Sequence, residues 1–430
     1  MNILYILQQS IYNSSGQWLS SDSNINMFLD LTAELYEKEP KIVFYCLIAP
    51  IEDFADIKSY TEIYNKPNVK FIPYNFPVDA FTNRYNFDPK QFMQAWNKAC
   101  FLAGERKDWA SKHERGKIDL VWNNIIELTR NIKTALWPYH DAKNIPIISC
   151  NYWLDAPCIS QNKVDKAISY DWRQFDGAEC SDLVAFTCES TKQAWYDNAL
   201  LKFGMPYITK ILNKSTIWDF GYKQSNIITN NKRFEIPTIL FLNRLSGIGY
   251  THHEEFIKAV NSLYEKRQDF QVFFTNPSQK VSTEWLVKNV KPYKHVMETP
   301  LTRDQYFQLL SKSHISCNLF KIELYGGCSH REAVASGLIP ITPNLYEYAR
   351  IQGDDYNYYC KDDFSDLEKV LSKVIDHVYK GWYEPAGGIG RDSNYEKIKG
   401  IYNRNYKSSF EYNANTVLWD LRRLVSEKLM

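Results

Sequence analysis

The sequence lacks any marked excess of charge. Its 51 lysines and arginines face 50 aspartates and glutamates, a net charge of +1 over 430 residues. That balance argues against a protein that works only as a general polyanion binder, while leaving a local basic groove open. A CxxC pair is also missing. The nine cysteines (Cys46, Cys100, Cys150, Cys158, Cys180, Cys188, Cys317, Cys328 and Cys360) are scattered, several within apolar runs. Buried free thiols in a reducing compartment fit that distribution better than a disulfide frame or a zinc site. No run approaches the roughly 18 apolar residues of a membrane span. The opening MNILYILQQS is apolar only briefly and has no positive start of the secretory kind. No short repeat is visible. These absences lead to the expectation of a cytoplasmic protein with no membrane span.

What is present suits a folded chain. Apolar residues make up 44% and charged residues 23%, which excludes global disorder. The length exceeds one ordinary core and fits two domains of roughly 200 residues each. Aromatics reach 15%, with 30 tyrosines and 12 tryptophans. Such residues line sugar or base sites, and more commonly fill cores.

Short apolar runs alternate with helical patterns. Ile3–Leu7, Ile42–Ile48, Val69–Ile72, Ile118–Trp122, Ile145–Cys150 and Leu183–Thr187 read as buried strands. The pattern restarts after residue 235 with Thr238–Leu242, Gln271–Phe274, His295–Met297, Ile315–Leu319, Leu338–Ile341 and Asn357–Cys360. Helix starts are expected at Ser190 with Gln193, Thr302 with Gln305, and Ser365 with Glu368, each a capping-box pattern. The polar stretch Gln224–Pro237 reads as a linker, and Thr416–Met430 as an amphipathic helix packing back on the first half. The expected fold is α/β: two doubly wound, Rossmann-like domains, 1–223 and 237–412, facing a central cleft, with 413–430 returning to the first. Ligands in such sheets bind beyond the strand C-termini, where the strand order reverses.

The most informative segment is Cys317–Asn344, CNLFKIELYGGCSHREAVASGLIPITPN. It reads as a strand, a loop with Gly326 and Gly327, a helix from about Ser329, a stop at Gly337, and another strand. Glycines let backbone amides approach an anion, and a helix N-terminus adds the positive end of its dipole. That suits a diphosphate. Glu323 and Glu332 flank the loop and can accept hydrogen bonds from sugar or ribose hydroxyls. Taken as local features only, the same residues make a capped helix with solvated glutamates.

This ordered set resembles the donor site of GT-B glycosyltransferases, chiefly the retaining ones. Glu323, Gly326, Gly327, Glu332, Ala333, Ser336, Gly337 and Pro340 stand for that family's glutamate, glycine loop, helix glutamate, small residue, glycine and proline strand. The resemblance implies that Glu323 holds the donor sugar and Glu332 the ribose. The two glutamates lie one residue further apart than is usual there, so the loop must bulge or Glu347 must take the first role. The strand TILFLNR ends in Asn243 and Arg244. Arg244 matches the family's diphosphate-binding arginine. The accompanying lysine is missing, and His252 or His253 lies near its place. Ser329 and His330 at the helix start join the donor side, His330 as a donor to a phosphate oxygen. Residues 297–301 should approach the nucleotide base.

In the first domain, Gly16 could let the diphosphate come close, and could equally be a turn glycine. The loop NYWLDAP offers Asn151 and Asp155 as polar groups and Tyr152 and Trp153 as stacking platforms for an acceptor. Asp155 is the candidate catalytic acid or base, beside Arg244 and Glu323, although an Asp before Ala-Pro is also a turn former. No DxD-like motif is convincingly placed. No metal or other cofactor is therefore required, and magnesium is an open option without support. The co-substrate is a nucleotide-sugar.

The run SHREAVASGLIPI also resembles, locally, the phage DNA α-glucosyltransferases, which glucosylate hydroxymethylated cytosine. Arg391–Lys407, with Tyr395, Tyr402 and Tyr406 among its basic residues, has a composition able to follow a nucleic-acid backbone. Such a stretch is more often solvated surface. Modified DNA is the most specific acceptor candidate, in which case the compartment is a host cytoplasm; a glycan or small-molecule hydroxyl is the broader one. The rival readings are an epimerase or phosphorylase of the same fold, and a non-catalytic nucleic-acid-binding or assembly protein.

Overall fold

A computed structural model describes residues 1–6, 23–48, 67–74, 87–104, 116–139, 142–151, 171–228, 231–243, 252–275, 283–293, 301–321, 326–380 and 393–429. The chain divides into two compact units, Met1–Asp219 with Asn413–Met430, and Phe220–Tyr412.

The first unit holds seven strands: β1 (Asn2–Ile6), β2 (Val43–Ile48), β3 (Val69–Pro73), β4 (Leu120–Asn123), β5 (Ile147–Asn151), β6 (Leu183–Phe186) and β7 (Ser215–Ile217). Their order is β3-β2-β1-β4-β5-β6-β7, with every pairing parallel. The order reverses between β1 and β4. Helices cover both faces of this sheet, so its strands read as nearly continuous apolar runs. Successive residues point to opposite faces. Leu4 and Ile6 join Tyr45, Val121 and Ile147 in a core closed by Phe92 and Trp96 of the helix Pro89–Gly104. On the other face Tyr5 meets Phe28 at 4.2 Å and Trp122 at 5.3 Å, and Trp122 meets Trp218 at 4.6 Å. Much of the aromatic content is therefore core.

The second unit holds β8 (Thr238–Phe241), β9 (Gln271–Phe274), β10 (Ile315–Cys317), β11 (Ile339–Pro343) and β12 (Tyr359–Cys360), ordered β12-β11-β10-β8-β9 and parallel throughout. A single parallel bridge, Val272 to Tyr293, extends the sheet beyond β9. Here the order reverses between β8 and β10. One face packs on the helices His253–Lys266 and Leu367–Tyr379 through Phe256, Val260, Leu371 and Val374. The opposite face packs on Phe307 and Leu310 of the helix Arg303–Lys312.

Several local expectations need correction. Ser190 is not a cap: the helix Glu189–Phe203 begins after Cys188, whose Sγ accepts the Thr191 amide at 3.4 Å. The helix Leu367–Tyr379 starts after Asp366, while Ser365 donates its amide to Asp363. The box at Thr302 and Gln305 forms as expected. The stretch read as a linker is docked on the second unit. Phe234 donates to the Lys312 carbonyl at 2.9 Å, and Arg233 holds the carbonyls of Ser313 and Gly337. The expected strand His295–Met297 lies outside the described residues. Eight described cysteines are unbridged, and all but Cys328 are buried. No helix among the described residues is long and apolar enough to cross a membrane.

Candidate functional site

The switch in the second sheet brings the ends of β8 and β10 together, with the Leu242 amide donating to the Cys317 carbonyl at 3.1 Å. Asn243 and Asn318 follow those strands directly, both nearly buried. Neither amide atom of Asn243 has a hydrogen-bond partner among the described residues. A buried side-chain amide without partners is costly unless a ligand or water completes it.

Beyond β10 the chain re-enters the described region at Gly326. Gly326 and Gly327 have φ of 78° and 72°, a region that glycine adopts without a steric penalty. The helix Cys328–Ala335 then begins with Gly327 as its cap, with no side-chain hydrogen bond to that cap and no acidic residue in its first turn. Its leading amides lack the usual intrahelical partners. That combination suits an incoming anion. Ser329, half-buried, stands in this turn.

Glu332, one turn on, is nearly buried, with Oε1 4.0 Å from an Arg303 guanidinium nitrogen. Its charge, after burial, contributes to holding the neighbouring Tyr306 hydroxyl well above its ordinary pKa. His330 points inward. Its ring is fully buried, edge-on to Tyr348 at 4.8 Å. Burial and the adjacent Arg331 push its pKa down to about 3. It is thus neutral near pH 7 with both ring nitrogens enclosed, and the expected donation to a phosphate oxygen has no open path in this arrangement. Glu347, the alternative sugar-binding acid, is fully buried between Arg331 and Arg350, so it does not take that role.

His252 adopts φ of 50° as the cap of the helix His253–Lys266 and pairs with Glu255 at 3.2 Å. Its ring lies 4.7 Å from Phe364, over which the Lys321 ammonium also sits at 4.7 Å. Lys321 was not among the sequence candidates. It follows β10, whereas the lysine of the resemblance was sought after β8, near His252; the two meet on the Phe364 ring.

In the first unit, Asn151 ends β5, fully buried and with both amide atoms unpartnered among the described residues. Gly16, Tyr152, Trp153, Asp155, Arg244 and Glu323 lie outside the described residues. So does residue range 297–300 of the expected base-contacting segment. In Arg391–Lys407, Arg404 is occupied by the Ile351 and Gln352 carbonyls, and Tyr402 packs on the core. Among the described residues no group of three or more His, Cys, Asp or Glu is placed to hold a metal ion.

No protein-family model and no curated protein matches the sequence. Solved structures do match. A glycosyltransferase from Rickettsia africae is 11% identical, with 99% of this chain and 98% of that one covered and a TM-score of 0.63. HepE from Anabaena, solved with UDP and glucose, is 12% identical over 99% of this chain and all of that one, at 0.57. A putative UDP-N-acetylglucosamine 2-epimerase from Listeria monocytogenes is 11% identical over 99% and 97%, at 0.55. At these identities the likeness is one of fold. The chain has the two-domain α/β fold of GT-B glycosyltransferases.

Proposed function

We propose that the protein transfers a sugar, hexose or pentose, from a nucleotide-sugar to an acceptor hydroxyl, with its second unit binding the donor and its first the acceptor. The observation that carries this reading is the left-handed Gly326–Gly327 turn running into an uncapped helix start at a sheet edge. Leaving-group charge on a diphosphate would be met there by backbone amides and the helix dipole, fixed before the reaction begins. Glu332, on that helix with an Arg303 guanidinium nitrogen 4.0 Å from its Oε1, would accept ribose hydroxyls. Arg244, immediately after Asn243, would supply the mobile positive charge. The fold-level neighbour HepE, solved with UDP and glucose, supports the donor class.

Transfer with retention follows if the acceptor hydroxyl passes its proton to the departing phosphate on the same face, which needs no strong protein base. The stretch SHREAVASGLIPI does little to choose an acceptor. Ser329 and Ala335 are half-buried and every other residue in it is buried, so packing accounts for its composition. A hydroxymethylated base is one acceptor class to test beside glycans and small-molecule alcohols. The Listeria neighbour favours an epimerase as the second reading. Incubation with UDP-, GDP- and ADP-sugars, scored for nucleoside diphosphate release and for epimerised donor, separates the two. Binding with neither product points to a non-catalytic protein.

A further inference from the structure

Beneath the glycine turn lies a pair of opposite charges with no access to solvent. Arg331 and Glu347 are both fully buried, with Arg331 Nη2 3.5 Å from Glu347 Oε1. The same carboxylate accepts from Arg350 Nε. Arg331 Nη1 donates to Ser408 Oγ, and the Arg331 carbonyl accepts from Asn405 Nδ2 at 3.0 Å. Gly221 makes room for the side chain, since a Cβ there would overlap Arg331 Cδ. Charged side chains are almost never fully buried unless paired, and a buried pair is weak evidence for stability because desolvation cancels much of its attraction.

What the pair holds is visible on the other side of Glu347. A Cβ at Gly326 would lie 3.4 Å from Glu347 Cβ and 3.5 Å from the Tyr348 ring. The residue before Glu347, Tyr346, has φ of 46°, a conformation that persists in a non-glycine residue only when its surroundings enforce it. We propose that Arg331 and Glu347 are positioning residues for the Gly326–Gly327 turn, fixing where its amides stand while neither side chain touches the ligand. The inference rests on the nucleotide-sugar reading above.

The charge that Glu347 carries makes the test discriminating. If the cluster acts only through charge, Glu347→Gln raises the local charge and tightens binding of a diphosphate. If it positions the turn, Glu347→Gln and Arg331→Lys each weaken UDP, GDP or ADP binding by about tenfold or more, measured by calorimetry. The paired replacement Arg331→Met with Glu347→Leu keeps volume and removes both buried charges. It should stay folded and still bind weakly, with the loss appearing in KM for the nucleotide-sugar as well. Gly221→Ala, which crowds Arg331 without changing charge, should weaken binding in the same direction. Tighter binding by Glu347→Gln, or unaltered binding by a folded double variant, overturns the proposal while leaving the donor reading intact. Absence of any nucleotide binding by the wild-type chain overturns both.

Discussion

Asp420 accepts the indole N–H of Trp218 at 2.9 Å, joining positions 202 residues apart. Both groups are buried, and Trp218 packs on Trp122 of β4. Asn413, on the same terminal helix, donates to the Asp219 carbonyl at 2.8 Å. Asp420→Ala strands a buried indole donor and should cost about 2 kcal/mol in urea unfolding. Asp420→Asn keeps an acceptor oxygen and should cost less than half as much. Equal losses would show that the carboxylate charge, not the hydrogen bond, holds the helix.

Gly327 has φ of 72° and ψ of 146°, and a Cβ there would meet only Ser329 Oγ at 3.9 Å. Space is available, so Gly327→Ala isolates the backbone requirement. A side chain in this region costs on the order of 2 kcal/mol, relieved by shifting the turn. Expected is a modest fall in melting temperature with a larger loss of nucleoside diphosphate affinity. Unchanged affinity would detach the turn from ligand binding.

The fold was legible because parallel strands buried on both faces leave apolar runs that survive without an alignment. One short edge strand was not: β7 is three residues of intermediate burial, too little for any periodicity to register, whereas β12, two residues long, falls inside the expected Asn357–Cys360. Ser190 and Ser365 carried cap chemistry, yet backbone geometry placed Cys188 and Asp366 at those helix starts. The glycine turn and its helix were readable because left-handed backbone has so few residue choices. Arg331 and Glu347 were not, since charged residues are read as solvated by default and only tertiary packing encloses them. The stretch Gln224–Pro237 read as a linker for the same reason, although the Arg233 guanidinium within it is spent on the Ser313 and Gly337 carbonyls.

Arg244 and Glu332 divide the donor between them in the proposed function, and their variants should fail differently. Arg244→Ala removes charge stabilisation of the leaving group and should lower turnover by at least about tenfold, about 1.4 kcal/mol of transition-state stabilisation. Glu332→Ala removes the ribose acceptor and should raise KM for the nucleotide-sugar with a smaller effect on kcat. Steady-state kinetics on the preferred donor checks both. Unchanged turnover in Arg244→Ala removes its phosphate role.

Stability should carry an acid-side signature from two histidines held neutral by the fold. Nδ1 of His314 accepts the Thr238 amide at 3.2 Å, at the start of β8. Burial, then the nearby Arg233, pushes its pKa down to about 4 from the ordinary 6.5, and burial with Arg331 pushes His330 to about 3. The unfolded chain takes up these protons near pH 6.5 while the folded chain refuses them until about pH 4 or below. Folding therefore keeps this contribution in full above about pH 6.5 and loses it as pH falls toward 4, by about 3 kcal/mol for each depressed histidine at most. His314→Asn retains an acceptor for the Thr238 amide and cannot titrate. Urea unfolding between pH 7 and pH 4.5 should show a shallower loss for His314→Asn than for the wild type, the remaining slope including the share of His330. Parallel slopes would mean that His314 is protonated in the folded protein and that the Thr238 hydrogen bond does not hold its ring neutral.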